Sequence, residues 1–223
     1  MRVLGIETST DAGGVAIVED GTLRAEWSLN LPRSHSLRLL PALKALLEAL
    51  GLEPQALDGI AVGIGPGSFT GLRIGLSVAK GLAMALERPL AGVPSLDALV
   101  FGIPSRGLPV YALIDAKRGE LFGALYRGGR REGPFEVLSP ASVIERIRGG
   151  EFLLVGEGVL LYREEFEGLE GVEIAPPPCH HPRASAVAFL GWKRLRDGKG
   201  DDLNSLVPLY IRPSDAELKG PRP

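Results

Sequence analysis

Two rhythms of apolar residues alternate along the chain. Val3, Leu4 and Ile6 form a short run that stops at the acid Glu7, and Val15 to Val18 and Leu23 to Leu29 form two more. Runs of this length bounded by turn residues predict β-strands. The small, hydroxylated stretch 8–14 and Glu19-Asp20-Gly21 supply the turns, so the chain opens as a three-stranded antiparallel meander. The rhythm then becomes helical. Leu37, Leu39, Leu40, Leu43, Leu46, Leu47 and Leu50 recur three or four apart, Ser34 or Ser36 is placed to cap the start, and Gly51 the end. Pro41 is expected to lie in the first turn or to kink this helix. A strand over 59–64, a loop over 65–71, a helix over 72–86 stopped by Arg88-Pro89, a strand over 90–93 and a short helix over 95–101 complete the first half.

The breaker-rich stretch 102–109 reads as a domain boundary. The order then repeats: strands over 110–114, 120–126 and 130–137, a helix from Ser139 to about Arg148, and a strand over 152–155. After an extended Pro176-Pro177-Pro178 linker, Ala184 to Arg196 is an amphipathic helix closed by Gly198. The polar, Pro-rich tail after Pro208 is expected to be poorly ordered. In each half the first strand ends in an acid, Glu7 or Asp115. The expectation is an α/β chain of two similar lobes around a cleft, divided as 1–103 and 104–223, with the last segment free to pack back on the first lobe.

Composition narrows the chemistry. Of 223 residues only one is Cys and three are His, which excludes a disulfide framework and a His-rich metal centre. Twenty-five Lys and Arg against 27 Asp and Glu give a net charge of −2, unlike a chain that grips nucleic acid alone through phosphates. No secretory signal pattern is present, and the apolar stretch 74–86 holds Lys80 and falls short of the ~20 residues of a membrane span. A cytoplasmic chain without membrane contact is expected.

Standard catalytic motifs are missing: no GxxxxGK[ST], GxGxxG after a strand, GxSxG, HExxH or paired CxxC. Cys179-His180-His181 reads as structural, because adjacent residues on one element chelate a single ion poorly, and His35 reads as a first-turn or interface residue. The loop 63–71, GIGPGSFTG, is more informative. Its glycines allow close backbone approach, Ser68 and Thr70 carry hydroxyls, and Arg73 follows one turn into a helix whose N-terminus favours anions. That suits a phosphate contact, and equally a tight strand-to-helix connection capped by Ser68 or Thr70. In the helix that follows, Gly71, Gly75, Ala79 and Ala83 lie four apart, forming a flat small-residue strip, while Arg73, Lys80 and Glu87 form one narrow charged row. The Leu-rich helix before it carries two apolar stripes. The excess apolar surface of both helices predicts that they pack together and meet a partner subunit through Leu39, Leu40, Leu43, Leu47, Gly71, Gly75, Ala79, Leu82 and Ala83. A sheet covering both helices entirely is the other reading.

The stretches LGIETSTD (4–11), SHSLRLLP (34–41), GPGSFTGLRIGLSVAKGLA (65–83), ALIDAKRGE (112–120) and PLYIR (208–212) together resemble the TsaB (YeaZ) family, over most of the chain and in the family's order. The resemblance implies two ribonuclease-H-like lobes of the actin-like and Hsp70-like ATPase fold. It also implies a part in making N6-threonylcarbamoyladenosine at position 37 of tRNAs that read codons starting with A. In that system the paralogue TsaD transfers the threonylcarbamoyl group, TsaB pairs with TsaD, and the ATPase TsaE joins them. The implied partners are TsaD and TsaE, with a homodimer when the chain is alone and tRNA met only through the complex.

Departures from TsaD shape the expected role. The two His positions of that family's metal motif fall on Ser95 and Leu99, which are poor or incapable ligands. Ala12 stands where the first loop of TsaD has an acid, and the turn DAKRGE (115–120), with an acid at its head, replaces its second phosphate loop. The resemblance therefore implies a scaffold without catalytic residues, metal or resident cofactor. Its cleft would be vestigial, formed by Glu7, Thr8, Ser9, Asp11, Gly65, Gly67, Ser68, Thr70, Arg73 and Asp115, with ATP or ADP binding left open. The alternatives are a free-standing phosphotransferase or ATPase of the same fold, and a metallopeptidase, for which no ligand set is present.

Overall fold

The computed structural model describes residues 1–31 and 35–212. In the first lobe β1 (Arg2–Glu7), β2 (Ala12–Glu19) and β3 (Thr22–Asn30) form the meander, followed by α1 (His35–Leu50), β4 (Gly59–Gly65), α2 (Phe69–Leu86), β5 (Leu90–Pro94) and α3 (Ser95–Val100). In the second, β6 (Val110–Lys117), β7 (Glu120–Arg127) and β8 (Arg130–Leu138) precede α4 (Pro140–Ile147), β9 (Phe152–Val155), α5 (Glu157–Leu161), α6 (Arg163–Phe166), β10 (Val172–Ile174) and α7 (Ala184–Arg196). Sequence periodicity misses α5, α6 and β10, each of five residues or fewer. Such elements are too short to establish a period. Of the two candidate caps for α1, Ser34 lies outside the described residues, and Ser36 lies inside the helix, as does Pro41.

The repeat is exact in topology. The first sheet runs β3-β2-β1-β4-β5 and the second β8-β7-β6-β9-β10. In both, the three meander strands are antiparallel and the next two are parallel to the first. Tight turns set the hairpins. Asp20 and Gly21 both have positive φ, as a two-residue hairpin turn requires.

Side-chain alternation along the strands sends residues to two faces. Leu4, Ile6, Val15, Ile17, Ile60 and Val62 meet α1 and α2. Val3, Ala61, Ala91 and Val93 meet α7 on the opposite face. So α7, late in sequence, completes the first lobe. Close approach is secured by Gly5, where a Cβ would overlap the Ala184 carbonyl and Ala188. In exchange, α3 of the first half covers one face of the second sheet through Leu96, Leu99 and Val100. The remaining face packs against α4, α5 and α6 around Val143, Val159 and Phe166. Each lobe thus borrows a helix from the other half.

The segment after α7 is not a loose tail over 201–212. Asp201 donates its N–H to Leu90 O at 2.7 Å, and its carboxylate accepts from Gly92 N at 2.7 Å and Arg194 at 2.9 Å. Leu203 and Leu206 pack on the α1–α2 core, Leu209 N donates to Ile64 O, and Ile211 enters the core of the second sheet. Arg212 then holds Glu120 and the Ala116 carbonyl. The expectation of poor order after Pro208 is corrected for 209–212, because the Leu209 backbone is bonded to β4 of the first lobe while Ile211 and Arg212 hold the second. Residues 213–223 lie outside the described residues.

Candidate functional sites: the interlobe cleft and an exposed helical face

The carboxyl ends of β1, β4 and β6 converge on a cleft of about 760 Å³ between the lobes. Ligands of open α/β sheets bind at such strand ends. Of the residues expected there, Ser9, Asp11, Gly67, Ser68, Thr70 and Asp115 line it. The Ser68 N–H donates to Ser9 O at 2.6 Å, and its hydroxyl accepts from Gly71 N at 3.2 Å, so Ser68 is the N-cap of α2.

Four of the expected cleft residues do something else. Glu7 is fully buried behind the cleft floor, its carboxylate accepting from Ser9 N at 2.6 Å and from the Ser95 hydroxyl at 3.2 Å. Gly63 is what makes room for it, since a Cβ there would overlap the carboxylate. Burial pushes the Glu7 carboxyl above the usual range, and the Ser9 amide pulls against that. Thr8 is also buried, its hydroxyl donating to Gly71 O at 2.8 Å. Gly65 is buried and donates to Ser95 Oγ at 3.2 Å. Arg73 lies outside the cleft lining: its guanidinium sits 3.8 Å from the Phe69 ring centroid and donates to Tyr210 Oη at 3.0 Å. The picture of Glu7 and Asp115 facing one metal–nucleotide is therefore corrected, because Glu7 is fully buried against Gly63, Ser9 and Ser95 and does not line the cleft. Ser95 is buried between Glu7 and Gly65, and Leu99 is a core residue.

The cleft is more acidic than the sequence reading implies. Glu157, at the start of α5, joins Asp11 and Asp115 in its wall. Burial pushes the Glu157 carboxyl up to about 7; Lys117 pulls it down, and Asp11 and Asp115 add to the rise. Lys117 pairs with Asp115 at 2.6 Å, and Arg212 with Glu120. Both cations are thus engaged, which leaves the field of Asp11 and Glu157 poorly matched to phosphates. Glu157 is absent from the residues expected in the cleft, yet the repeat carries its signal: β9, Gly156 and α5 follow each other as β4, the Gly-rich loop and α2 do. Leu160, Leu161, Leu209 and Ile211 make the rest of the wall apolar.

The buried His180 accounts for the His pair. Its Nε2 lies 2.7 Å from Ala175 O, and its Nδ1 lies 3.1 Å from Gly156 N, which fixes the turn that carries Glu157. His35 contacts Thr10 O through Nε2 at 2.7 Å and packs on the first hairpin.

The expected interface is corrected in detail. Gly71, Gly75, Ala79 and Ala83 face inward: a Cβ at Gly71 would overlap Thr8 O, one at Gly75 would overlap Thr8 Oγ1, and Ala79 and Ala83 belong to the core. Leu39, Leu43 and Leu47 are buried in the same core. These residues answer the end of β1 and the first sheet, so they cannot meet another subunit. What remains outside is Leu37 at 77 % exposure, Leu40 at 54 % and Met84 at 70 %, with the half-buried Leu82 and the exposed Ser77, Gly81 and Ala85. Thus α2, although long and apolar enough by composition to cross a bilayer, spends one face on its own core and leaves a second apolar face in solvent.

Comparison with known proteins agrees with this architecture. The family model for TsaD, tRNA N6-adenosine threonylcarbamoyltransferase, matches residues 30–220. The tRNA threonylcarbamoyladenosine biosynthesis protein TsaB of Bacillus subtilis is 34% identical over 98% of this chain and 97% of its own. YeaZ from Pseudomonas aeruginosa superposes with a TM-score of 0.81 at 32% identity, covering 94% of this chain and 99% of that one. The ethanolamine utilization protein EutJ from Carboxydothermus hydrogenoformans, at 16% identity over 86% of this chain and 90% of its own, has a TM-score of 0.53 and shares the two-lobed actin-like fold. By sequence along its whole length and by structure, the chain belongs to the TsaB (YeaZ) family.

Proposed function

We propose that the chain serves tRNA threonylcarbamoyladenosine biosynthesis as the non-catalytic partner of the TsaD transferase, working in the cytoplasm. The B. subtilis relative's name supports the process. The observation that carries the role is the outward face of α1 and α2, where Leu37, Leu40, Met84, Gly81 and Ala85 leave apolar helical surface uncovered. The equivalent helices of a paralogue with the same fold present the natural complement, giving a four-helix contact. A face complementary to a paralogue is close to self-complementary, so the chain alone forms a homodimer through it. TsaE joins the pair, and tRNA is met through the complex. A net charge of −2 accords with that, and so do the surface arginines matched by acids: Arg106 with Glu173, Arg127 with Glu132, Arg146 with Glu136, Arg163 with Glu167 and Arg183 with Glu26.

The cleft supports the non-catalytic part of the reading. With Glu7 buried, and with Lys117 and Arg212 paired to Asp115 and Glu120, a wall that carries Asp11 and Glu157 is poorly suited to a nucleotide's phosphates. No resident cofactor or metal is proposed. Reconstitution tests the whole reading: TsaD, TsaE and tRNA with a supply of threonylcarbamoyl-adenylate, with and without this chain. Modification is expected only when the chain is present, and the isolated chain is expected to show no tight calorimetric binding of ATP with Mg²⁺. Equal modification without it overturns the role, and tight ATP binding with turnover favours a free-standing phosphotransferase.

A further inference from the structure

At the far end of the β6–β7 ladder from the cleft, where Val110 pairs with Tyr126, a second cavity of about 520 Å³ opens at the lobe junction. Its floor is apolar, from Val100, Val110 and Leu190, and its rim carries Phe101, 38 % exposed and stacked on Phe189 with centroids 5.8 Å apart. Three charged side chains line it. Asp97 accepts from Tyr126 Oη at 2.6 Å and faces Arg131 Nε at 3.5 Å. Arg131 is held in place, donating to Gly133 O at 2.8 Å with its guanidinium 3.9 Å from the Phe135 ring centroid. Asp97 and Arg131 therefore balance each other. The side chain of Arg130, exposed on the same rim, has no hydrogen bond or ion pair among the described residues, so its charge is uncompensated.

We propose that this cavity binds a small ligand with a flat apolar body and one anionic group, the body lying on the apolar floor beside Phe101 and the anion meeting Arg130. Apolar lining with a few placed polar groups is the usual make-up of a small-molecule site. Guanidinium is the side chain best shaped for carboxylate and phosphate oxygens. Burial and the neighbouring Asp97 hold the Tyr126 phenol in its protonated, donating form, so one Asp97 oxygen is occupied while Arg131 offsets the carboxylate's charge. The contrast with the main cleft is one of sign: there the cations are spent on Asp115 and Glu120, and acids dominate. Phe101 follows α3, whereas Tyr126 and Arg130 come from the second sheet, so an occupant bridges the two halves of the chain.

Benzoate, phenyl phosphate and benzyl alcohol, titrated into the full chain and followed by amide NMR, separate body from charge. Benzoate and phenyl phosphate are expected to shift the resonances of Gly102, Ser105 and Gly129, with benzyl alcohol at least about tenfold weaker. Arg130→Ala is expected to erase that advantage without changing the melting temperature, and Arg130→Lys to restore part of it. Any of four results overturns the proposal: no shifts at millimolar probe, equal binding of all three, shifts confined to Gly67 and Ala116 of the cleft, or undiminished binding by Arg130→Ala.

Discussion

Two stripes of small residues run along α2, one on each side. Gly71, Gly75, Ala79 and Ala83 press against Thr8 and the first sheet, whereas Ser77, Gly81 and Ala85, also four apart, face solvent. Spacing alone makes them equivalent. What separates them is what stands opposite: at Gly75 a Cβ would overlap Thr8 Oγ1, while at Gly81 nothing lies within 4 Å. The first stripe serves the fold of this chain, and the second lies on the face that the proposed association would use. A small-residue stripe therefore reports a close approach without saying whose.

The contrast breaks most sharply at Gly75. Gly75→Leu forces a side chain into that of Thr8, and overpacking this close falls at the upper end of the usual range, about 3 kcal/mol. For a chain of this length the melting temperature is expected to fall by roughly 6–12 °C or the chain to stay unfolded in thermal scans followed by circular dichroism. A Gly75→Leu variant that melts like the parent would mean that the inner stripe is not packed as described.

Next in size is the outer stripe. Met84→Asp touches an exposed side chain, so its melting point is expected within about 2 °C of the parent. Self-association, measured by sedimentation, is expected to weaken by about thirtyfold or more, the scale of a buried interface anchor. A variant that self-associates unchanged would remove this face from the contact.

The cleft gives a smaller, pH-dependent effect. Glu157 has a folded pKa of about 7 against an ordinary 4.5, so the folded state holds the proton more tightly. Below pH 4.5 the carboxyl is protonated in both states and has no effect. Between there and pH 7 its ionisation progressively destabilises the fold, and the penalty is complete above pH 7. Glu157→Gln is expected to be more stable than the parent in urea at pH 8 and equal to it near pH 4.5. The opposite order at pH 8 would show that the carboxylate is favourably paired. Smallest is Arg73→Ala, which removes the exposed stack on Phe69 and Tyr210 and is expected to cost less than about 1 kcal/mol.

Much of the architecture is legible from the chain because it rests on local signals. The β1–β3 meander, the leucine spacing of α1 and the repeated strand order each follow from periodicity and turn residues. The exchange of α3 and α7 between lobes is not legible, since nothing local in Ala184–Arg196 names the sheet it will cover. The cleft was half legible. Ser68 and the Gly-rich loop announce a strand-to-helix turn at its edge, but the burial of Glu7 depends on the long-range closure of Gly63 and Ser95 over it. Glu157 stayed hidden because α5 is only five residues long.

The central claim, that the outer face of α1 and α2 docks the TsaD paralogue, is tested most directly by sedimentation velocity on mixtures of purified TsaD with the parent chain or with Gly81→Arg. Gly81 has open space around it, so the arginine leaves the fold and its melting temperature intact. The account predicts a heterodimer with the parent and two separate species with Gly81→Arg. A Gly81→Arg variant that sediments with TsaD as fully as the parent would contradict it.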